Sequence, residues 1–257
     1  MLGSRIVNAR TCRFGWISLT LAFALSSCNG AQTSVPSTQS GAPAAAGPLE
    51  LTPALLPPMA PITTSPGKVD GMPDRFLPPE GDTSSGGMGA PIDKVPCLPV
   101  MGNGYHVHVF LGIVYHGQLM ALPAAVGMVD PGPAVDGYID TAKCFYETHT
   151  HDSSGIVHLE VFAPHPLSSV VFKLKNVLAV WGVPHSARSF GPFEGKIRVY
   201  VGMPAALGQT TVDTYSPFAG RQWTNMGLHS HEVIWVEIGK PYYNAHQLPP
   251  VTFYMEY

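Results

Sequence analysis

Three pairs of potential metal ligands stand two residues apart along the chain. They are His106 and His108, His149 and His151, and His158 and Glu160. Alternate residues of a β-strand project from the same face, about 6.5–7 Å apart along the strand. If the segments that carry these pairs are strands, each pair therefore presents two ligand-bearing side chains on one face.

The second and third pairs flank a segment typical of a tight turn, Asp-Ser-Ser-Gly at residues 152–155. A hairpin with this turn sets His149 opposite His158, with His151 and Glu160 on the same face. Opposed residues of an antiparallel pair have Cβ atoms about 4.5–5.5 Å apart. Three imidazoles at that spacing can converge on one ion at about 2.0–2.1 Å.

A fourth ligand comes from His106 or His108 if their strand lies beside the hairpin. Imidazoles next to a carboxylate suit zinc, copper or nickel, and the ligand types alone do not choose among these metals. We therefore predict a transition-metal site for copper or zinc. Its candidate ligands are His106, His108, His149, His151, His158 and Glu160.

Several alternatives remain open at this site. The histidines could form a hydrogen-bonded structural cluster without metal. Glu160 could be an anionic ligand, a general base for a metal-bound water or the partner of a charged neighbour. Asp152 is more typical of a residue that caps its own turn than of one that orients a ligating imidazole. His229 and His231 form a further pair, which ranks below the others as a source of ligands.

Residues 149–160, with the sequence HTHDSSGIVHLE, resemble the signature HTHD-x-SGIIH-x-E of uncharacterised exported bacterial proteins. Surrounding landmarks are similar too: Cys97, the segment YHVH at residues 105–108, the segment at 123–127, Cys144, and VWG at 180–182. The resemblance covers roughly residues 95–240. It implies a shared domain, and it implies no particular activity.

The elements that must position these side chains are mostly short strands. The pattern predicts strands at residues 105–115, 118–122, 144–151, 156–162, 196–202, 232–238 and 251–257. It also predicts a turn at His116-Gly117 and a short helix at residues 176–181 that ends at Gly182. Short strands between frequent turns indicate a mainly β domain, an antiparallel sandwich or barrel with one short helix.

The N-terminal segment has the features of an export signal. Arg5, Arg10 and Arg13 precede an apolar stretch of about a dozen residues, which is too short to span a bilayer. The stretch ends in Leu-Ser-Ser before Cys28, which resembles the lipobox of bacterial lipoproteins. This resemblance implies cleavage before Cys28 and lipid on its thiol, and Asn29 after it favours the outer membrane over the inner one.

The chain is thus divided into three regions. Residues 1–27 are the predicted signal peptide, and residues 28–90 are the lipidated N-terminus and a Pro/Ala/Ser/Gly-rich tether. Residues 29–99 hold 14 of the 26 prolines, a composition that buries little apolar surface and favours a flexible linker. Residues 91–257 are the predicted His-rich β domain.

Charge and cysteine content exclude some functions. Removal of the leader leaves 11 basic and 17 acidic side chains, and without a basic cluster we expect no nucleic-acid partner. Cys97 and Cys144 remain as an even pair in an oxidising compartment, which favours a disulfide. The alternative is that their thiolates bind copper.

Three functions therefore stand at the level of sequence. The first is a lipid-anchored extracytoplasmic domain that binds copper or zinc through histidines on strands. The second is a metal-dependent enzyme in which Glu160 or Asp152 acts as base. The third is a structural module of the cell envelope that recruits a protein partner.

Overall fold

A computed structural model describes residues 56–70, 87–102, 104–161 and 172–254. The predicted signal peptide, Cys28 and the first part of the tether lie outside the described residues. Within the described residues, no helix is both long enough and apolar enough to span a membrane.

The described residues form sixteen short strands. In chain order they are β1 (Ile62–Ser65), β2 (Lys68–Asp70), β3 (Cys97–Leu98), β4 (Tyr105–Tyr115), β5 (Gln118–Met120), β6 (Met128–Val129), β7 (Cys144–Tyr146), β8 (Thr148–His149), β9 (Ile156–Val161), β10 (Ser189–Phe190), β11 (Phe193–Glu194), β12 (Ile197–Gly202), β13 (Thr211–Val212), β14 (Ser216–Pro217), β15 (Glu232–Ile238) and β16 (Val251–Thr252). The helical elements of the same residues are α1 (Leu174–Trp181) and two 3-10 helices, Trp223–Asn225 and Ala245–Gln247.

The main sheet has the strand order β14-β12-β15-β4-β9-β8, with β5 paired to β4. A second sheet has the order β13-β16-β1-β2, and β3, β7 and β6 form a smaller third sheet. The predicted mainly β fold with one short α-helix is confirmed. Most pairings are antiparallel as predicted, but β15 pairs with β4 and β1 pairs with β16 in parallel, so both sheets are mixed.

The main sheet is buried on both faces, and its strands alternate between two cores. Residues such as Val109, Leu111 and Ile234 face one core, which α1 covers. Phe110, Trp235 and their neighbours face the other core, which the second sheet covers through Ile62, Val212 and Val251. The two sheets therefore form a sandwich, one of the two predicted architectures.

The central pair β4 and β15 depends on one glycine. Gly112 lies opposite Trp235 in the parallel register, and a Cβ on it would come within 2.3 Å of the indole ring. Any larger residue at position 112 would displace a fully buried tryptophan. Glycine at this position therefore allows the indole ring of Trp235 to approach the backbone of β4.

Helix α1 covers the face of the main sheet that points away from the second sheet. Leu174, Val177, Leu178 and Trp181 are buried against the main sheet at the i, i+3, i+4, i+7 spacing of one helical face. The helix begins after Lys173, which is extended, and ends at Gly182 with φ 77°. Gly182 adopts the left-handed conformation that favours glycine, so the predicted end of the helix is confirmed.

Some residues of the region predicted as the tether form strands in the structure. Residues 56–70 fell within the predicted tether, yet β1 pairs with both β16 and β2, and Ile62 is fully buried. Apolar residues such as Ile62 are isolated among prolines in the sequence, so no periodicity marked this segment as a strand. The segment is stabilised by the pairing of β1 with β16, whose residues are distant in the sequence.

The predicted disulfide is confirmed. Cys97 and Cys144 are bonded, with their Cα atoms 5.5 Å apart. They join the strands β3 and β7 of the third sheet. Both sulfur atoms are consumed by this bond, so the alternative in which thiolates bind copper does not apply.

Candidate metal centre

The candidate ligands lie on three adjacent strands, β4, β9 and β8. His108 and His149 both pair with His158, one from each side, and His106 pairs with Glu160. The predicted register of the hairpin, with His149 opposite His158, is therefore found. The strand that carries His106 and His108 lies alongside, as the prediction of a fourth ligand required.

The cluster replaces apolar residues on one face of the main sheet. His106 and His108 continue the face of Phe110 along β4, and His158 and Glu160 continue the face of Ile156 along β9. Phe110 and Ile156 belong to the core that the second sheet covers. The histidines therefore extend the inner layer of the sandwich toward one end of the strands.

The donor atoms of β4 and β9 form a compact triangle. His106 Nε2 lies 3.0 Å from His158 Nδ1 and 3.0 Å from His108 Nε2, and His108 Nε2 lies 3.2 Å from His158 Nδ1. Two atoms that bind one ion at about 2.0–2.1 Å in tetrahedral geometry lie about 3.3 Å apart. These separations match those of ligands around a single ion.

A second group of donors overlaps the first at His158. His149, His151, His158 and Glu160 each offer one donor atom, all within 4.8 Å of one another. His149 Nε2 lies 3.1 Å from His151 Nε2 and 3.7 Å from Glu160 Oε1, which is 3.4 Å from His158 Nδ1. All four residues are buried.

Backbone carbonyls fix the tautomers of His149 and His151. His149 Nδ1 donates to the carbonyl of Tyr146 at 2.8 Å, and His151 Nδ1 donates to the carbonyl of Ile139. A neutral imidazole carries one proton, so each ring keeps only a lone pair at Nε2. Two lone pairs thus face each other at 3.1 Å, an arrangement that a cation between them would stabilise.

Burial keeps these rings neutral. It lowers the pKa of His149 and of His158 well below the ordinary value, and the neighbouring His151 ring lowers both further. Burial, followed by the nearby His106 ring, lowers the pKa of His108 to about 3. For His151, burial again lowers the pKa, although the hydrogen bond to Ile139 opposes it. The imidazoles therefore present lone pairs, as metal ligands must.

Glu160 supplies the carboxylate of the cluster. Its Oε1 lies 3.2 Å from His106 Nε2, and its Oε2 is buried and accepts no hydrogen bond from the described residues. Burial raises the pKa of Glu160 to about 7, against the opposing effect of the Gly102 amide. A buried carboxylate oxygen without a donor is costly unless a proton or a metal ion compensates it.

Asp152 has the structural role that the sequence favoured. One of its oxygens accepts from the amide of Ser154 at 2.9 Å, which caps the turn, and the other accepts from the amide of Gly67 at 3.0 Å. The ring of His151 bonds to Ile139 and not to Asp152. Asp152 therefore holds the hairpin turn to the loop between β1 and β2.

Sequence reasoning missed three contributors to the site. Tyr138 stacks on the His151 ring at 4.4 Å between centroids, with the planes 8° apart. The carbonyls of Tyr146 and Ile139 set the tautomers. Tyr138 and Ile139 lie in an irregular loop whose path the sequence does not specify. Every residue has a backbone carbonyl, so residue types alone do not show which carbonyls bind the imidazoles.

The lower-ranked histidines lie outside the two donor groups. His229 contacts Glu232, with Nδ1 at 3.2 Å from Oε2, and its side chain is largely exposed. The backbone amide of His231 donates to the carbonyl of His108 at 2.7 Å, and its ring packs against Phe253. Neither residue is among the donors that could share an ion in the described part of the chain.

Comparison with protein-family models, with curated proteins and with solved structures gives no significant match. The chemistry must therefore be inferred from the site itself. That site is a cluster of five histidines and one glutamate, buried except for His106, that could hold a metal ion.

Proposed function

We propose that this protein is an exported, lipid-anchored protein whose folded part binds a transition-metal ion, copper or zinc, at the histidine cluster. The observation that carries the proposal is the pair of Nε2 atoms of His149 and His151, which face each other at 3.1 Å as lone pairs. Their Nδ1 protons are held by carbonyls, so no neutral rearrangement of protons removes the repulsion. A metal ion does.

The ligand set has three imidazoles and one carboxylate. His149, His151, His158 and Glu160 make a four-coordinate site, the number that zinc prefers. The only thiols in the described residues are joined in the Cys97–Cys144 disulfide, so the donors are nitrogen and oxygen. Such a set suits zinc and divalent copper better than metals that require soft sulfur ligands.

The proposed location rests on the sequence. The leader ends at a cysteine in a lipobox-like context, and residues 149–160 resemble a signature of exported proteins. Lipid on Cys28 would anchor the protein without a spanning helix. Replacing Cys28 by serine is therefore expected to move the protein from the membrane fraction to the soluble fraction, and retention of the Cys28→Ser variant in membranes would contradict the anchor.

A metal-dependent enzyme is the second candidate. The observation in its favour is a small cavity, about 10 Å³, beside the cluster, with His108, His158 and Tyr138 in its wall. This volume admits about one water molecule. A water there could bind the ion in an open position and become a nucleophile. Because both oxygens of Asp152 accept backbone hydrogen bonds, Glu160 is the better candidate for a base.

Elemental analysis of the purified full chain tests the proposal. We expect about one equivalent of zinc or copper in the wild-type protein and a large loss in His149→Ala and His158→Ala. The matched control is His246→Ala, which removes an exposed histidine outside the cluster and should leave the metal content unchanged. Negligible metal in the wild-type protein, even after dialysis against zinc and copper, would overturn the proposal and favour a structural module.

A further inference from the structure

The six donors of the cluster form three pairs: a central pair and two outer pairs, one on each side of it. The central pair is His158 and Glu160 on β9, the middle of the three adjacent strands. The β4 pair, His106 and His108, lies on one side of it. The hairpin pair, His149 and His151, lies on the other side, at the end of β8 and in the turn that follows.

Both outer pairs reach the central pair at ligand spacing. From the β4 pair, His106 Nε2 is 3.0 Å from His158 Nδ1 and 3.2 Å from Glu160 Oε1. The hairpin pair forms a group with the same two atoms, all within 4.8 Å of one another. Each outer pair could therefore complete a coordination shell with the central pair.

One atom limits how many ions can be held at once. His158 takes part in both donor groups through Nδ1, and an imidazole nitrogen has a single lone pair. Two ions cannot both use it at the same time. The two donor groups are therefore alternative positions for one ion.

The two positions differ in their access to solvent. The side chain of His106 is 39% exposed, whereas that of Glu160 beside it is 3% exposed. His149 and His151 are 1% and 2% exposed. His108 is as buried as these two, at 2%, so an ion from solution meets the β4 pair first at His106.

The two positions also differ in how well they are satisfied without an ion. His106 Nε2 and His108 Nε2 lie 3.0 Å apart, the length of an N–H···N hydrogen bond, so one proton can lie between these two rings. The hairpin pair cannot do this while neutral, because its protons are committed to the carbonyls of Tyr146 and Ile139. The gain from binding an ion is greater at the hairpin pair.

We infer that a metal ion enters at the β4 pair and comes to rest at the hairpin pair, and that His158 and Glu160 hold it throughout the transfer. The inference rests on the proposed function and assigns different roles to its ligands. His106 and His108 are entry ligands, whereas His149 and His151 are resting ligands. The transfer exchanges one outer pair for the other while the central pair remains bound.

Rapid-mixing kinetics with Zn²⁺ and a colorimetric chelator, on the full chain, test the inference. For His106→Ala we expect association and dissociation to slow together, by about tenfold, with a much smaller change in affinity, because the lost contact acts mainly during entry. For His149→Ala we expect affinity to fall by about 100-fold or more while fast association persists. His246→Ala is the control and should behave as the wild-type protein.

The outcomes separate the inference from the proposed function. Equal losses of affinity in the two cluster variants would show one site with shared ligands and overturn the transfer route. Two zinc ions per chain at saturation would overturn it as well. Absence of both zinc binding and copper binding by the wild-type chain would instead overturn the proposed function, and if copper alone binds, the same kinetics are measured with Cu²⁺. His106→Gln and His149→Gln, which keep side-chain volume and polarity, replace the alanine variants if circular dichroism shows that those are unfolded.

Discussion

Among single residues, the chemistry of the cluster is decided by where each imidazole keeps its proton. The carbonyls of Tyr146 and Ile139 take the Nδ1 protons of His149 and His151 and leave both Nε2 atoms bare. The hairpin pair, His149 and His151, therefore differs from histidines that hydrogen-bond to one another in a network. Such a network needs one proton between each pair of facing nitrogens, and the hairpin pair has none to offer.

A second buried acid, Glu237 on β15, allows a prediction about pH. Burial raises its pKa from 4.5 to about 7, although the amide of Tyr243, at 2.6 Å from Oε1, and the nearby Arg198 oppose the shift. Because the folded protein holds this proton more tightly than the unfolded chain, Glu237 loses its stabilising effect as pH rises from 4.5 through 7. The resulting loss of unfolding free energy over this pH range is about 3 kcal/mol.

The variant Glu237→Gln isolates this effect, since the amide stays neutral and still accepts from Tyr243. We expect the unfolding free energy of the variant, minus that of the wild-type protein, to increase between pH 4.5 and 7.5 in urea titrations. Glu194→Gln, at an exposed position, serves as the control and should show no such trend. A constant difference for Glu237→Gln across this range would contradict the prediction.

The sequence predicted part of this residue-level detail. His149 was placed opposite His158 because a short turn fixes the register of a hairpin, and register determines which side chains meet. The tautomers could not be predicted, because the carbonyl of Ile139 comes from a loop whose path the local sequence does not specify. The stacking of Tyr138 on His151 depends on the same loop.

At the level of strands, local pairings were predictable and distant ones were not. The predicted strand at residues 105–115 is found with the same bounds as β4, because a long β-branched and aromatic run ends at a turn. The parallel pairing of β15 with β4 joins segments more than a hundred residues apart. Nothing in either segment specifies that partner, so the sequence could not reveal the order of the main sheet.

The pairing of strand β1 with distant residues was likewise not predictable from the sequence. It leads to a test of the domain boundary. It contributes Ile62, which is fully buried, and Thr64, whose hydroxyl donates to the carbonyl of Thr252 at 3.1 Å. A chain that begins at residue 71 lacks both. We expect it to lose at least about 2–5 kcal/mol of stability relative to a chain that begins at residue 51, the cost of deleting one buried isoleucine side chain.

The control for this comparison is a chain that begins at residue 29. If residues 29–50 act only as a tether, its urea midpoint should equal that of the chain from residue 51. Equal midpoints for the chains from residues 51 and 71 would show that residues 51–70 add no stability, in line with the domain boundary at residue 91 that the sequence predicted.

Considered as a whole, the molecule places a polar cluster inside a layer that is otherwise apolar. The main sheet is covered by α1 on one face and by the second sheet on the other. The histidines occupy the second of these faces, where Asp152 ties their turn to the loop after β1. Burial by the sandwich keeps the imidazoles neutral, and the strands hold them at the spacing that an ion requires. The site therefore depends on the fold.

The most direct test of the central claim is anomalous diffraction from crystals of the protein grown with zinc or with copper, measured at the absorption edge of the added metal. We expect one strong peak about 2.0–2.1 Å from the Nε2 atoms of His149 and His151, with His158 and Glu160 completing the shell. A cluster without anomalous density, in crystals grown with zinc and in crystals grown with copper, would contradict the claim that this site binds a transition metal.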